Sequence, residues 1–260
     1  MGQTYDYIPE DLIEWAVQQE VFWVATAPLS AEGHVNVSPK GVRGTFRIVD
    51  KNKVWYEDLT GSGVETLSHL RENGRITIMF IAFQGGPRIL RFFGRGVAYE
   101  YGSKEYEELL PAEERNPGSR GVIVVDVHRV GTSCGWGVPF YDYVGPRTTL
   151  SNFGVQLEKK SQAAEDHRAG GLHAYWKLKN MQSIDGIPGL RSAPESTVVP
   201  RAPVKEGLGN WTGPLRYVEK AGKVKAGAAK VGAAGEWARP FMAFVLGLVV
   251  AGVYVQIGAA

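Results

Sequence analysis

The sequence predicts a mainly β, antiparallel barrel with peripheral helices, followed by a single C-terminal helix long enough to span a bilayer. Three observations predict it. Short β-rich runs follow one another at close spacing with small-residue turns between them, and closing such strands into a barrel removes exposed edges. The run Arg88-Ile89-Leu90-Arg91-Phe92-Phe93-Gly94-Arg95-Gly96 alternates cationic and apolar residues at the spacing that sends them to opposite strand faces. At the far end, residues 241–260 carry no charge at all.

In chain order, Pro9 and Glu10 lead a short amphipathic helix over 11–19. Strands are predicted near 21–27, 34–38, 45–49, 54–58, 75–83, 88–99 and 121–130, with turns at Glu32-Gly33, Lys51-Asn52 and Gly85-Gly86-Pro87. Helices are predicted over 64–72 and 103–110. Residues 133–143 pack four aromatics among glycines and a proline, too irregular for a strand and too apolar for an ordinary surface loop. That loop either lies over a flat ring system or plugs one end of the barrel. A helix over 173–184 is followed by Asp185-Gly186-Ile187-Pro188-Gly189-Leu190. The predicted organisation is a barrel with a helical extension over 1–191, a Pro/Gly and basic linker over 192–236, and a membrane helix over 237–260.

The chemistry concentrates in residues 55–83, which read as strand, small-residue turn, short helix, strand. Thr60-Gly61-Ser62-Gly63 offers hydroxyls and backbone N–H groups with no bulky side chain in the way, where the positive end of the following helix favours an anion. Ser62 suits the N-cap. The alternative is a capped helix after a glycine turn, with no ligand. Upstream, the alternating strand His34-Val35-Asn36-Val37-Ser38-Pro39-Lys40-Gly41 ends in a lysine.

Taken in order, these segments resemble the pyridoxamine 5′-phosphate oxidase-like FMN-binding split-barrel family over residues 21–130, and in particular its fungal branch. The wording LTGSG, TL.H.RENGRIT and MF.AF carries that resemblance, with SIDGIPGL further on. It implies an FMN-binding split β-barrel and a homodimer with the flavin at the interface between subunits. Under that reading Ser62, Gly63, Thr66 and a strand arginine hold the phosphate, since it needs hydroxyl, amide and cationic donors. Lys40 is the candidate cation for the flavin ring, where reduction builds negative charge near N1 and C2=O. Arg88 and Arg91 are second-tier candidates, alternation allowing one or the other to face the flavin. A solvated strand face or a carboxylate partner is the competing role for each cation.

The namesake oxidases end in a Trp- and Arg-rich segment that helps hold pyridoxal phosphate, and this chain has a glycine-proline linker and an apolar helix instead. Vitamin B6 oxidation is therefore not expected. The leading expectation is a membrane-tethered FMN-dependent oxidoreductase acting on a small molecule; the alternatives are a non-catalytic flavin-binding or dimeric scaffold and, further off, a haem-binding split barrel.

Composition and motifs narrow the classes. With 260 residues and 44% hydrophobic content, the chain holds one sizeable core. A net charge of +2 gives no case for nucleic acid. The lone cysteine, Cys134, excludes an internal disulfide and fits a reducing compartment. Residues 1–10 do not read as a secretory or mitochondrial leader, and Asp6 stands where a myristoylation motif needs Ser or Thr. Five scattered histidines argue against zinc, and no P-loop or dinucleotide fingerprint is present. Residues 241–260 span about 30 Å as a helix, the hydrocarbon thickness of a bilayer. A basic flank precedes them, with six Lys/Arg against two Glu over 216–239. The expected topology is a single-pass C-terminal anchor with the barrel on the cytosolic side.

Overall fold

The structure, a computed structural model, describes residues 2–201 and the strand Arg216–Tyr217. The predicted membrane helix and most of the predicted linker lie outside the described residues. Among the described residues, no helix is long and apolar enough to cross a membrane.

The elements in order are β1 (Thr4–Tyr5), α1 (Glu10–Ala16), β2 (Phe22–Thr26), β3 (Asn36–Lys40), β4 (Phe46–Asp50), β5 (Lys53–Leu59), α2 (Glu65–Asn73), β6 (Arg75–Ile81), β7 (Ile89–Glu100), α3 (Lys104–Leu109), β8 (Ser119–Ser133), α4 (Thr149–Ala163), α5 (Gly171–Lys179), a 3-10 turn (Ala193–Glu195) and β9 (Arg216–Tyr217). The sheet runs β3-β2-β6-β7-β8-β5-β4-β9, with β1 added beside β8. All pairings are antiparallel except β4 with β9. The architecture is thus mainly β and antiparallel, as the turn spacing predicts.

The sheet rolls up because its inward residues share one core. Phe22 on β2 and Phe46 on β4 stand five strands apart along the ladder, yet their rings meet at 5.0 Å. Phe22 also meets Tyr56 at 5.5 Å, and Phe46 meets Phe80 at 5.3 Å. Only a curved sheet brings those pairs together, and burying them removes a large apolar area from water. Alternation is clean on β2 and β6, where every second residue is buried. In contrast, β5 and the first half of β8 are buried nearly throughout. Their outer face carries a second core, in which Trp55 and Val122 meet Leu67, Tyr106, Leu157 and Trp176 from the helices. Strands covered on both sides lose the polar alternation of a half-exposed sheet.

Several differences from the predicted elements have local causes. Helix α4 is not predicted, because Ser151, Asn152 and Gly154 interrupt its pattern. Gly154 is required there: a β-carbon would strike the Pro117 carbonyl, where α4 crosses the turn that ends at Gly118 (φ 78°). The predicted helix over 173–184 ends at Lys179, because Asn180 leaves helical geometry and turns its amide onto the carbonyl of Gly61 at 2.9 Å. The N-cap of α2 is Val64, without a side-chain cap, rather than Ser62.

The chain after α5 is bound to the barrel through Glu100. This carboxylate, only 4% exposed, accepts the backbone N–H groups of Arg191, Ser192 and Ala193 at 2.8–2.9 Å and pairs with Arg71. Asp185 makes a second attachment, accepting the N–H of His34 at 2.8 Å while meeting its ring Nδ1 at 2.6 Å. Replacing Glu100 with Ala leaves Arg71 and three amides without their acceptor, so Glu100→Ala is expected to destabilise the fold by about 3 kcal/mol and to expose the 191–195 segment to protease. Urea unfolding and limited proteolysis check both effects.

Candidate functional site

The turn between β5 and α2 is held by its carbonyl side. Thr60 N–H donates to Gly118 O at 2.7 Å, and the Trp176 indole N–H donates to Thr60 Oγ1 at 2.9 Å. The carbonyls of Gly61 and Gly63 are taken by Asn180 and Arg120, at 2.9 and 2.8 Å. Each peptide unit points its N–H opposite to its C=O, so this anchoring turns a run of donors the other way. Among the described residues, the backbone N–H groups of Gly61 to Leu67 meet no acceptor, and the first amide of the helix to find one is Ser68, on Val64 O at 3.1 Å. Consecutive free amides at a helix N-terminus form an anion-binding concavity.

Two cations stand beside that concavity, joined by one carboxylate. Lys40 Nζ lies 3.0 Å from Asp58 Oδ1, and Arg120 Nε lies 2.7 Å from Asp58 Oδ2. Asp58 is 1% exposed. Burial alone would raise its carboxyl, but the charges of Arg120 and Lys40 outweigh burial and hold it down at about 2. The neighbouring Glu57 goes the other way: burial raises it, against hydrogen bonds from Asn116. Lys40, Gly61, Gly63, Glu65, Thr66 and Arg120 line one cleft of about 280 Å³, together with Glu57.

A polar row along β3 sets the hydroxyl of Thr66. Asn36 Nδ2 donates to Thr66 Oγ1 at 2.9 Å and to Thr26 Oγ1 at 3.3 Å, while Asn36 Oδ1 accepts from Ser38 Oγ at 3.1 Å. His69, fully buried, closes the row at 3.0 Å from Thr26 Oγ1. Because Thr66 Oγ1 already accepts a hydrogen bond, its own proton is left to donate into the cleft.

Of the six predicted residues, the structure brings Lys40, Gly63 and Thr66 together in this cleft. Ser62 sits at the exposed tip of the turn beside them, with its carbonyl 3.5 Å from the Asn180 amide. Arg88 and Arg91 do not line it. Arg88 lies over the Trp15 ring at 5.4 Å, and Arg91 donates to Ser133 Oγ at 3.1 Å. Sequence reasoning misses Asn36, Asp58, Glu65 and Arg120. Asn36 was within reach of it, since it shares the period-2 face of Lys40. Arg120 carries no local signal, because its partner lies 62 residues away.

A second, larger cleft of about 1340 Å³ adjoins the first, with Pro39, Gly41, Val42 and Leu150 lining both. Its walls carry Trp15, Phe83, Tyr141, Tyr143 and Phe153. Among the described residues, no group of three or more His, Cys, Asp or Glu is placed to hold a metal ion.

The family model described as pyridoxamine 5′-phosphate oxidase matches residues 8–134. The pyridoxamine 5′-phosphate oxidase family protein ustO of Aspergillus flavus is 39% identical over 195 residues, which cover 73% of this chain and 78% of that protein. The chain belongs to the pyridoxamine 5′-phosphate oxidase family. Similar solved structures include HupZ of Group A Streptococcus, 26% identical, covering 47% of this chain and 91% of that one with a TM-score of 0.39. Another is a pyridoxamine 5′-phosphate oxidase-related, FMN binding protein from Nostoc punctiforme, 12% identical, covering 50% and 85% with a TM-score of 0.37.

The depressed Asp58 carboxyl makes a signed prediction. Its contribution to stability is fully present above the ordinary carboxylate range and is lost as pH falls from about 4 toward its folded value of about 2. The difference in thermal midpoint between the native chain and Asp58→Asn is therefore expected to stay constant from pH 7 to pH 5 and to shrink below pH 4. Paired melting curves, which cancel the opposing contribution of Glu57, check it.

Proposed function

We propose that this chain binds FMN, with the phosphate at the N-terminus of α2 and the ring system toward the larger cleft, and that it serves as an oxidoreductase for a small molecule. The observation that carries the reading is the convergence of the free amides of Gly61 to Leu67, the Thr66 hydroxyl and two cations on one small cleft. Family membership supports it.

The residues present fit a phosphate monoester. Space above Gly61 is open, with no atom within 4 Å of where a β-carbon would stand. Lys40 and Arg120 offset Asp58 with one positive charge to spare, while Glu57, whose carboxyl burial raises, also lines the cleft. Glu65 opposes the fit: its carboxylate leans against Gly63 at the mouth of the amide run. It must swing toward solvent for an anion to seat. When bound, FMN supplies hydride or electron transfer at its isoalloxazine. The chain's own residues bind and orient: amides and Thr66 grip the phosphate, Arg120 keeps the carbonyls turned away, and Asn36 points the Thr66 proton. Lys40 ends β3 between Pro39 and Gly41, which line both clefts, and so places a cation at the junction of phosphate and ring.

A second reading, a flavin-binding scaffold without turnover, is favoured by one observation. The two carboxylates that line the larger cleft, Glu20 and Asp142, are engaged with Arg43 and Gln84. Two further proposals complete the reading. Val35 and Val37, 71% and 60% exposed on and beside edge strand β3, support a homodimer. The uncharged segment 241–260, with its basic flank, supports a C-terminal membrane anchor that leaves the barrel cytosolic.

Purified protein is expected to be yellow or to quench added FMN fluorescence on titration; a colourless chain without FMN affinity overturns the reading. Ser62→Ala with Thr66→Ala is expected to weaken FMN at least about tenfold without loss of fold. Glu65→Gln is expected to strengthen it by about threefold to tenfold, since a like charge leaves the phosphate seat. With NADH or NADPH, an oxidoreductase bleaches near the flavin absorbance band and recovers with an acceptor, whereas a scaffold does neither. Full-length protein is expected to resist carbonate extraction while a 1–236 fragment is released.

A further inference from the structure

We infer that the outer face of the sheet carries a second anion site, a cleft over β2, β6, β7 and β8 in which Arg75 and Arg95 together grip a phosphate monoester. This cleft shares no lining residue with the cleft at the α2 turn or with its larger neighbour. It therefore stands whether or not a flavin binds at the turn.

Strand register brings the two charges together. Arg75 on β6 and Arg95 on β7 are direct antiparallel partners, so two cationic side chains stand opposite each other on one sheet face. Like charges placed directly opposite destabilise a sheet. The fold holds this pair in place all the same: Asn73, the last residue of α2, accepts Arg75 Nε on its side-chain oxygen at 3.2 Å and Arg95 Nη1 on its backbone carbonyl at 2.5 Å. Arg75 Nη2 also donates to Pro28 O at 3.1 Å. These acceptors are neutral, so they orient the guanidinium groups without cancelling their charge, and each five-donor fork keeps N–H groups to spare. No carboxylate lines the cleft. Asp126, opposite Arg95 on β8, pairs with Lys53 at 3.3 Å, and Glu72 on α2 accepts the N–H of Leu29 at 2.7 Å. Among the described residues, neither arginine meets a carboxylate.

The other walls suit the same ligand. Phe93 faces Arg129 across the β7–β8 ladder while Gly94 faces Val127, which makes His128 the extra residue of a bulge, a feature that re-aims a side chain. His128 lines the cleft beside Thr77, and neither side chain has a partner among the described residues. Donors thus converge from three strands. One guanidinium fork satisfies a planar carboxylate, whereas a tetrahedral phosphate presents oxygens in several directions and takes donors from each. Ala25, Val35 and Phe93 form the apolar part of the lining, where the organic group of the ester lies, and the volume of about 440 Å³ holds a phosphate with a small group attached.

The test titrates phenyl phosphate and benzoate calorimetrically into the full chain in detergent, with FMN in excess and, separately, in the Ser62→Ala, Thr66→Ala background that disables the turn. Phenyl phosphate is expected to bind under both conditions, at least about threefold more tightly than benzoate. Arg75→Gln with Arg95→Gln is expected to weaken it at least about tenfold. Because those arginines also hold Asn73, Thr77→Val supplies an isosteric variant that breaks no hydrogen bond of the fold; it is expected to weaken phenyl phosphate about threefold to tenfold with an unchanged urea midpoint. Absence of phenyl phosphate binding, equal affinity for benzoate, or affinity that survives both sets of variants overturns the inference. Glycerol 3-phosphate and dioctanoyl phosphatidic acid separate the sources of the phosphate. Equal affinity assigns a soluble ester, tighter binding of the lipid assigns a membrane headgroup, and dependence on Arg75 and Arg95 is expected in either case.

Discussion

Asp58 sits at the end of a strand buried on both faces, and its carboxylate is shared between Arg120 on the adjacent strand β8 and Lys40 at the end of edge strand β3. A buried carboxylate without partners would cost several kcal/mol, so the two cations are required for β5 to end where it does. In return, Asp58 draws Lys40 inward and fixes Arg120 so that its other nitrogen reaches the carbonyl of Gly63. One ion-pair triad thereby positions the turn and the cations around it. The triad itself keeps a single net positive charge, two cations minus one carboxylate, which Glu57 and Glu65 in the same cleft oppose.

The C-terminal extension completes that arrangement from outside the barrel. Trp176 and Asn180 come from a helix more than a hundred residues away, yet they hold the hydroxyl of Thr60 and the carbonyl of Gly61. With the carbonyls occupied on the protein side, the amides face outward as donors. The extension is itself pinned through Glu100 and Asp185, so the conformation of the turn depends on contacts at long sequence separation as well as on the turn's own glycines. Folding of the extension and affinity at the turn are expected to be coupled for this reason.

What the sequence made legible follows from the range of the interactions. The barrel was readable because strand alternation and turn chemistry are local, and β2, β5, β6 and β7 fall close to their predicted spans. The turn was readable because Gly61 and Gly63 beside Thr66 form a local signature. Arg88 and Arg91 stand outside the small cleft for a physical reason: alternation assigns a strand face but not what stands opposite that face, and here Trp15 and Ser133 stand there. Asp58, Arg120 and Asn180 act across 57 to 119 residues, and no periodicity reports such pairings. Helix α4 escaped because its glycine, a propensity penalty within the helix, serves a close crossing with the Gly118 turn.

The central claim is that the amide run at the start of α2 recognises a phosphate on a flavin. FMN and riboflavin differ only in that phosphate, so their relative affinity for the full chain isolates it. Two or more charge-assisted hydrogen bonds predict that FMN binds at least about 100-fold more tightly than riboflavin in side-by-side fluorescence titrations. Equal affinity for the two flavins would contradict the account, since the ring would then bind without using the turn.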